Sequence, residues 1–138
     1  MQPIVRAFEE RDQDAVIAIS LRAWAPVFTS LEELLGQSGV YSQMHPDWRA
    51  DQRRAVQAAC GAEGMHVWVG ELETVVTGFA AARLDHQEGM GEIYMIAVDP
   101  AYQRNGIGSL LTSFVLQWFK DNAGREAQAP PPRAVRQV

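Results

Sequence analysis

The chain has no excess of positive charge, because 12 lysines and arginines are set against 17 aspartates and glutamates. A nucleic-acid-binding protein needs a basic surface to displace counterions from phosphates, so we expect no nucleic-acid partner. The acidic balance weakly favours cationic partners such as amines. No apolar run approaches the roughly 18 residues of a membrane span, so we expect no membrane insertion.

Cysteine and histidine are also scarce. The single cysteine, Cys60, excludes an intrachain disulfide, and we expect a buried structural thiol on a helix rather than a nucleophile. His45, His66 and His86 have no metal-ligand spacing and form no recognisable Ser–His–Asp arrangement. The sequence therefore predicts no metal site. Residues 1–8 lack the pattern of a secretory signal, so we expect a cytoplasmic location.

The pattern that is present is that of a globular α/β domain, and 138 residues suffice for a hydrophobic core. Apolar spacing and turn residues predict strand, helices, three strands and a long helix, with antiparallel pairing between strands joined by short connections. The expected elements are a strand at Ile4–Phe8, a helix that Pro26 ends, a short helix from Thr29 to about Leu35, a helix capped by Asp47 that runs to about Cys60, strands at His66–Glu71, Thr74–Leu84 and Glu92–Val98, and a helix from Gly106 to about Asp121.

The C-terminal residues have a different composition. Gly124 is typical of a helix end, and Pro130, Pro131 and Pro132 are incompatible with a regular helix or a central strand. Alanine, glutamine, arginine and proline dominate the rest. We therefore predict a domain at residues 1–122 and an irregular tail at residues 123–138.

A strand–loop–helix segment at residues 91–120 is the most informative part of the chain. Its strand ends at Val98-Asp99-Pro100, and Gln103-Arg104-Asn105-Gly106-Ile107-Gly108 leads into the last helix. Seven apolar residues then recur at helical spacing and should form one face that packs on a sheet. They are Ile107, Leu110, Leu111, Phe114, Val115, Trp118 and Phe119.

The start of that helix has the properties of an anion site. Its first backbone N–H groups have no helical partner, and with the helix dipole they attract phosphate. Gly106 and Gly108 allow the backbone to approach an anion, and Arg104 adds positive charge. No Gly-Lys-Ser/Thr follows, and Leu111 takes the place of the third glycine of a dinucleotide fingerprint. A Gly-x-Gly pair alone would equally suit a tight turn before a core helix.

This segment resembles the acetyl-CoA motif of the GNAT superfamily of N-acetyltransferases, which reads Gln or Arg, two residues, Gly, one residue, then Gly or Ala. The resemblance covers residues 3–121 in matching order and implies a mixed, mostly antiparallel sheet flanked by helices. It also implies that acetyl-CoA contacts the end of the fourth strand and a phosphate loop at residues 103–109. The implied cofactor-binding residues are Ile96, Ala97, Val98, Gln103, Arg104, Asn105, Gly106, Ile107, Gly108 and Ser109.

The same resemblance implies that Glu92 is the catalytic base, because the strand Glu-Ile-Tyr-Met-Ile-Ala-Val is similar to that of the family's histone acetyltransferases. Near pH 7 an alkylammonium acceptor must lose a proton before it can attack. Glu92 could equally be a solvent-facing residue at a strand start. Tyr94 should share its face. The aromatic residues Trp24, Phe28, Tyr41, His45 and Trp48 lie where the family places acceptor loops, but we expect core packing for them.

The sequence departs from the family after the last helix. The family continues with a strand, a helix that supplies an asparagine and a general-acid tyrosine, and a final hairpin, and residues 123–138 match none of these. We therefore expect a C-terminally shortened fold, with an unpaired edge on the fourth strand that favours a homodimer. The functional prediction is N-acetylation of a primary amine on a small molecule or protein. The alternative is a non-catalytic module that binds coenzyme A or a partner chain.

Overall fold

The computed structural model describes residues 2–35, 47–85, 90–123 and 134–135. The elements, in chain order, are β1 (Ile4–Ala7), a 3-10 turn (Glu10–Asp12), α1 (Gln13–Leu35), α2 (Trp48–Gly61), β2 (His66–Leu72), β3 (Val75–Asp85), β4 (Met90–Val98), a 3-10 turn (Pro100–Tyr102), α3 (Ile107–Ala123) and β5 (Ala134–Val135). The strands form one sheet in the order β1-β2-β3-β4-β5. Every pairing is antiparallel except that of β4 with β5. Within the described ranges, none of the helices is both long and apolar enough to cross a membrane.

The prediction that Pro26 ends the first helix is wrong. α1 continues through Pro26 to Leu35 and absorbs the separate short helix expected from Thr29. Pro26 is exposed, so its ring points to solvent and the carbonyl that loses its N–H partner can be hydrated. Beyond it, Phe28 stacks on Trp48 of α2 with 4.4 Å between ring centroids. This tertiary contact holds the helix past the proline.

Helices α1 and α2 cover one face of the sheet. Val16, Ile17 and Ile19 of α1 and Val56 of α2 pack with Phe79 of β3 and its neighbours in one buried cluster. Cys60 is partly buried against this cluster rather than fully buried, and burial raises the pKa of its thiol.

Polar contacts fasten the same face. Arg6 donates two hydrogen bonds to the buried carboxylate of Asp12, at 2.8 and 2.9 Å, and its Nε lies 2.5 Å from Glu71 of β2. The hydrogen bond from Arg6 holds the pKa of Asp12 below its ordinary value, although burial acts in the opposite direction. Gln52 of α2 donates to the buried hydroxyl of Ser20 of α1 at 2.7 Å. The first helix is therefore held to its neighbours by charge and hydrogen bonds as well as by apolar packing.

Helix α3 covers the opposite face, and glycines in the sheet receive it. Ile107, Leu111, Val115 and Phe119 are fully buried. A Cβ added at Gly78 would lie 3.0 Å from Ile107 Cγ2, and one added at Gly91 would lie 2.6 Å from the Phe119 ring. The other three of the seven residues predicted for one face, Leu110, Phe114 and Trp118, are less buried, and Phe114 is exposed. The glycines set how closely α3 approaches the strands.

The prediction that the tail contains no strand is also corrected. Ala134 and Val135 form β5, which pairs in parallel with Glu92 and Ile93 of β4. Both residues lie beyond the three prolines and carry the N–H groups that a ladder requires. β5 covers only the start of the β4 edge, and among the described residues no strand pairs with the side of β4 away from β3 between Tyr94 and Val98.

Candidate functional site

The site begins where β4 ends, at Asp99. Its N–H donates to Thr77 O (2.8 Å), its carbonyl accepts from Tyr102 N–H (2.8 Å), and its carboxylate accepts from Ala101 N–H (3.1 Å). The other carboxylate oxygen lies 2.6 Å from Arg22 Nη2. Burial alone would raise the pKa of Asp99, but the hydrogen bonds and charge of Arg22 and Ala101 N–H bring it below its ordinary value. Asp99 therefore stays ionised and fixes the turn that follows.

The loop at residues 103–109, which is predicted to bind phosphate and is called the phosphate loop, then turns back into α3 with two residues in the left-handed region. Arg104 has φ 81° and Gly106 has φ 77°. The first intrahelical bond of α3 joins Leu110 N–H to Gly106 O at 3.0 Å. The N–H groups of Ile107, Gly108 and Ser109 precede this bond, so they lie outside the helical ladder and are available to an anion.

Two adjoining cavities lie against these amides. One, of about 460 Å³, is lined by Ile96, Ala97, Val98, Gln103, Gly108, Ser109, Thr112 and Ser113. The other, of about 360 Å³, is lined by Val98, Tyr102, Gln103, Arg104, Gly106, Ile107, Gly108 and Ser109. Both face the part of the β4 edge that β5 leaves open. The backbone groups on that edge and the helix amides therefore meet in one concave region.

Nine of the ten cofactor-binding residues predicted from the sequence line these cavities, and Asn105 does not. Its backbone N–H and side-chain amide are both directed to Tyr102 O, at 3.4 and 3.3 Å. Asn105 therefore shapes the loop from its exposed side. Sequence reasoning missed Thr112 and Ser113, which lie one helical turn after Gly108 and Ser109 and so share their side of α3. The four-residue spacing from Gly108 and Ser109 could have identified these two residues from the sequence.

Glu92 lies on the other face of the sheet, in a different cavity. Ile93 and its partner Ala82 pack against α3, so the neighbouring pair Glu92 and Arg83 points toward the α1 and α2 side. Arg83 Nη2 is 3.9 Å from Glu92 Oε1. The surrounding cavity of about 540 Å³ is lined by Glu63, Gly64, Arg83, Leu84, Asp85, Met90, Gly91 and Glu92. Glu92 and Ile96 are four positions apart along β4, about 13 Å at the usual rise of a strand.

A β-bulge lies between these two points. Ala81 pairs with Met95 and Ala82 with Ile93, so Tyr94 is the additional residue in β4. Tyr94 packs partly buried on the α1 and α2 face, the face that Glu92 shares, as its spacing from Glu92 predicts. Phe28 contacts both Trp24 and Trp48, and of these three aromatic residues Trp48 is buried, as core packing requires, whereas Trp24 and Phe28 are half-buried. Tyr41 and His45 lie outside the described residues, and no cluster suited to a metal ion occurs in the described part of the chain.

Comparison with known proteins shows which family this chain is similar to. The model of the Acetyltransferase (GNAT) family matches residues 28–131. A mycothiol acetyltransferase from Thermomonospora curvata is 27% identical over 121 residues, which are 85% of this chain and 34% of that protein. The chain thus spans about a third of the length of that curated relative.

Solved structures share the fold at low identity. The ribosomal-protein-S18-alanine N-acetyltransferase from Escherichia coli superposes with a TM-score of 0.61 and 18% identity, over 88% of this chain and 61% of that one. A GNAT family acetyltransferase from Brucella melitensis, solved in complex with acetyl-CoA, superposes with a TM-score of 0.62 and 19% identity, over 99% of this chain and 77% of that one. The predicted fold, a mostly antiparallel sheet flanked by helices, is confirmed.

Proposed function

Because the chain belongs to the GNAT acetyltransferase family, we propose that it is an acetyl-CoA-dependent N-acetyltransferase acting on a primary amine of a small molecule or protein. The observation that carries the proposal is the concave region where free amides of α3, the glycine-containing loop and the open edge of β4 converge. We place the reaction in the cytoplasm, where acetyl-CoA is supplied as a co-substrate.

The residues present fit the phosphate end of acetyl-CoA. The N–H groups of Ile107, Gly108 and Ser109 can donate to the pyrophosphate, and the dipole of α3 favours negative charge there. Gly108 leaves room, since a Cβ at this position would meet only Val98 Cγ2, at 3.5 Å. Arg104 lines the smaller cavity and adds a cation. Among the described residues, neither cavity is lined by an acidic side chain that would repel an anion.

The backbone of β4 suits the other end of the cofactor. Acetyl-CoA supplies an acetyl group activated as a thioester. The edge groups of Ile96, Ala97 and Val98 can hydrogen-bond the amide-containing arm as an added strand would. An N–H on the same edge can donate to the thioester carbonyl oxygen as negative charge develops on it.

The acceptor amine is proposed to approach from the α1 and α2 face, where Glu92 lies. Glu92 would accept the proton of the ammonium group, directly or through a water, and leave a neutral nitrogen that attacks the carbonyl carbon. The carbon–sulfur bond would then break, the attacking nitrogen would give up a second proton to become the amide, and the departing thiolate of coenzyme A would take up a proton to become the thiol. Glu63 lines the same cavity and adds negative charge that favours a cationic acceptor.

A non-catalytic coenzyme A-binding module is the second candidate function. The separation of about 13 Å along β4 between Glu92 and Ile96 favours it, because a base must come within one water of the amine. Turnover separates the two candidates, since both predict binding of coenzyme A.

The test measures binding and turnover in parallel. Coenzyme A is titrated calorimetrically into the parent chain, Gly108→Ala and Gly108→Glu. Acetylation of a panel of small primary amines is followed by mass spectrometry, because the free thiol of Cys60 would interfere with thiol reagents. We expect binding to the parent and to Gly108→Ala, and an affinity at least about tenfold lower for Gly108→Glu.

The Gly108→Ala variant is the matched control, because it separates the effect of losing the glycine from the effect of the charge and bulk of the glutamate side chain. Equal affinity of a folded Gly108→Glu variant and the parent would show that the phosphates bind elsewhere. Binding without acetylation of any amine would leave the non-catalytic module as the function.

A further inference from the structure

The phosphate loop makes few contacts of its own. Residues 103–106 are exposed, and the hydrogen bonds that tie them to the preceding turn, among the described residues, are the two from Asn105 to Tyr102 O. The shape of the loop must therefore be set at its two ends. At the C-terminal end, Ile107 is buried in the notch formed by Gly70 and Gly78, with Cγ2 3.1 and 3.0 Å from the positions their Cβ atoms would take.

At the N-terminal end the loop depends on Asp99. The four hydrogen bonds of Asp99 join it to β3 through Thr77, to the following turn through Ala101 and Tyr102, and to α1 through Arg22. Its side chain is only 10% exposed. Without the arginine, this nearly buried carboxylate would keep one hydrogen-bond donor, Ala101 N–H, and lose its neutralising charge.

Arg22 reaches the turn from a distant part of the chain, 77 positions away. Among the ion pairs of the described residues, this one alone joins α1 to the segment that leads into the phosphate loop. The arginine is about half exposed, and its Nη2 is directed to Asp99 Oδ2.

We propose that Arg22 is a positioning residue for the phosphate loop: it acts through Asp99 to hold the turn Pro100–Tyr102, and so sets where Gln103 and Arg104 lie. The consequence for coenzyme A binding rests on the proposed function. Arg22 lies on α1, on the face from which the acceptor is proposed to approach, and thereby controls the affinity for the cofactor phosphates. The Arg22–Asp99 ion pair thus joins the acceptor side of the site to the cofactor side.

The test uses Arg22→Met, which keeps the length and removes the charge, Asp99→Asn, the double variant, and Arg22→Lys as a rescue. Arg54→Met is the matched control, because it removes an exposed arginine paired with Asp51 within α2. The first readout is amide hydrogen exchange in the unliganded chain. We expect exchange of Ala101 and Tyr102 N–H to accelerate about tenfold in Arg22→Met, with Phe79 in the core unchanged.

The second readout is affinity for coenzyme A and for pantetheine, which lacks the phosphates. We expect the Kd for coenzyme A to rise about tenfold in Arg22→Met, Asp99→Asn and the double variant alike, because the two residues act as one unit. Arg22→Lys should recover part of the affinity, and Arg54→Met should match the parent. The Kd for pantetheine should stay unchanged in all variants.

Unchanged exchange at Ala101 and Tyr102 in Arg22→Met would overturn the proposal, whether or not the chain binds coenzyme A. Weak binding in Arg22→Met with parental affinity in Asp99→Asn would overturn it too, since Arg22 would then contact phosphate directly. Failure of the parent chain to bind coenzyme A would instead contradict the proposed function, and the exchange data would still decide whether Arg22 holds the turn.

Discussion

The two faces of the sheet are held to their helices in different ways. α3 is seated by apolar contact: fully buried Ile107, Leu111, Val115 and Phe119 approach the strands where Gly70, Gly78 and Gly91 lack side chains. On the opposite face, charge also holds α1, because Arg22 of α1 pairs with Asp99, and Asp12 in the turn directly before α1 pairs with Arg6. Arg6 in turn pairs with Glu71 of β2. The packing of α3 on the sheet should therefore depend little on pH and salt, whereas the attachment of α1 should depend on both.

The largest effect should come from Glu92, the proposed base, which lies on the charged face of the sheet. Glu92→Gln should lower turnover by roughly 10²- to 10⁴-fold near pH 7 with little change in coenzyme A affinity. The loss should shrink at high pH, where the amine loses its proton without help. The measurement is a pH–rate profile of parent and variant.

Glu63→Gln is the matched control, because Glu63 lines the same cavity on an exposed loop. A loss as large in Glu63→Gln would assign the effect to the charge of the cavity rather than to proton transfer. A profile of Glu92→Gln that coincides with the parent's would remove Glu92 from the mechanism.

A smaller effect is expected on stability from the ion pair beneath α1. Asp12→Asn should lower the free energy of unfolding by about 2–3 kcal/mol at pH 7, since it leaves Arg6 without its bidentate partner. The folded-state pKa of Asp12 is depressed, so its stabilisation is present above the ordinary value of 3.8 and is lost as pH falls through the lower folded-state value. Denaturant unfolding from pH 7 to pH 3 measures this.

The parent should lose stability toward the acid end of that range, and the gap between parent and Asp12→Asn should narrow as pH falls below 3.8. Glu9→Gln removes an exposed partner of Arg6 and should cost much less. A gap that stays constant down to pH 3 would show that Asp12 contributes through packing rather than through its charge.

The smallest effect tests the apolar face. Gly91→Ala places a methyl group 2.6 Å from the ring of Phe119 and should cost about 1–2 kcal/mol through overpacking. Gly61→Ala is the control, because nothing lies within 4 Å of the added Cβ. The cost should be the same at pH 7 and pH 4 and in low and high salt, and any strong dependence on pH or salt would break the contrast between the two faces.

The strand–loop–helix unit was accessible from the sequence because its signals are local. Apolar spacing predicts the buried row of α3, and the glycines with Arg104 mark the loop. Longer-range features were not accessible. The continuation of α1 past Pro26 depends on Phe28 stacking on Trp48, and β5 is two residues whose pairing partner lies more than 40 positions away. The ion pair between Arg22 and Asp99 could not be predicted either, because no pattern in the sequence around Arg22 or around Asp99 indicates it.

The homodimer at the β4 edge remains a prediction, and β5 shortens the stretch of β4 that could pair with a second chain. Glu92 and Ile93 are paired within the chain, so among the described residues the part of the edge without a partner strand runs from Tyr94 to Val98. That part is also where the acyl-bearing arm of the cofactor is proposed to bind. A dimer formed there would therefore compete with acetyl-CoA.

The central claim is that the cofactor phosphates bind the first amides of α3. Its most direct test is a backbone-amide NMR titration of the chain with coenzyme A. We predict that the largest shift changes fall on Ile107, Gly108 and Ser109, with the amides of Glu63 and Arg83 unchanged. Saturable shifts centred on Glu63 and Arg83, with Ile107, Gly108 and Ser109 unmoved, would contradict it.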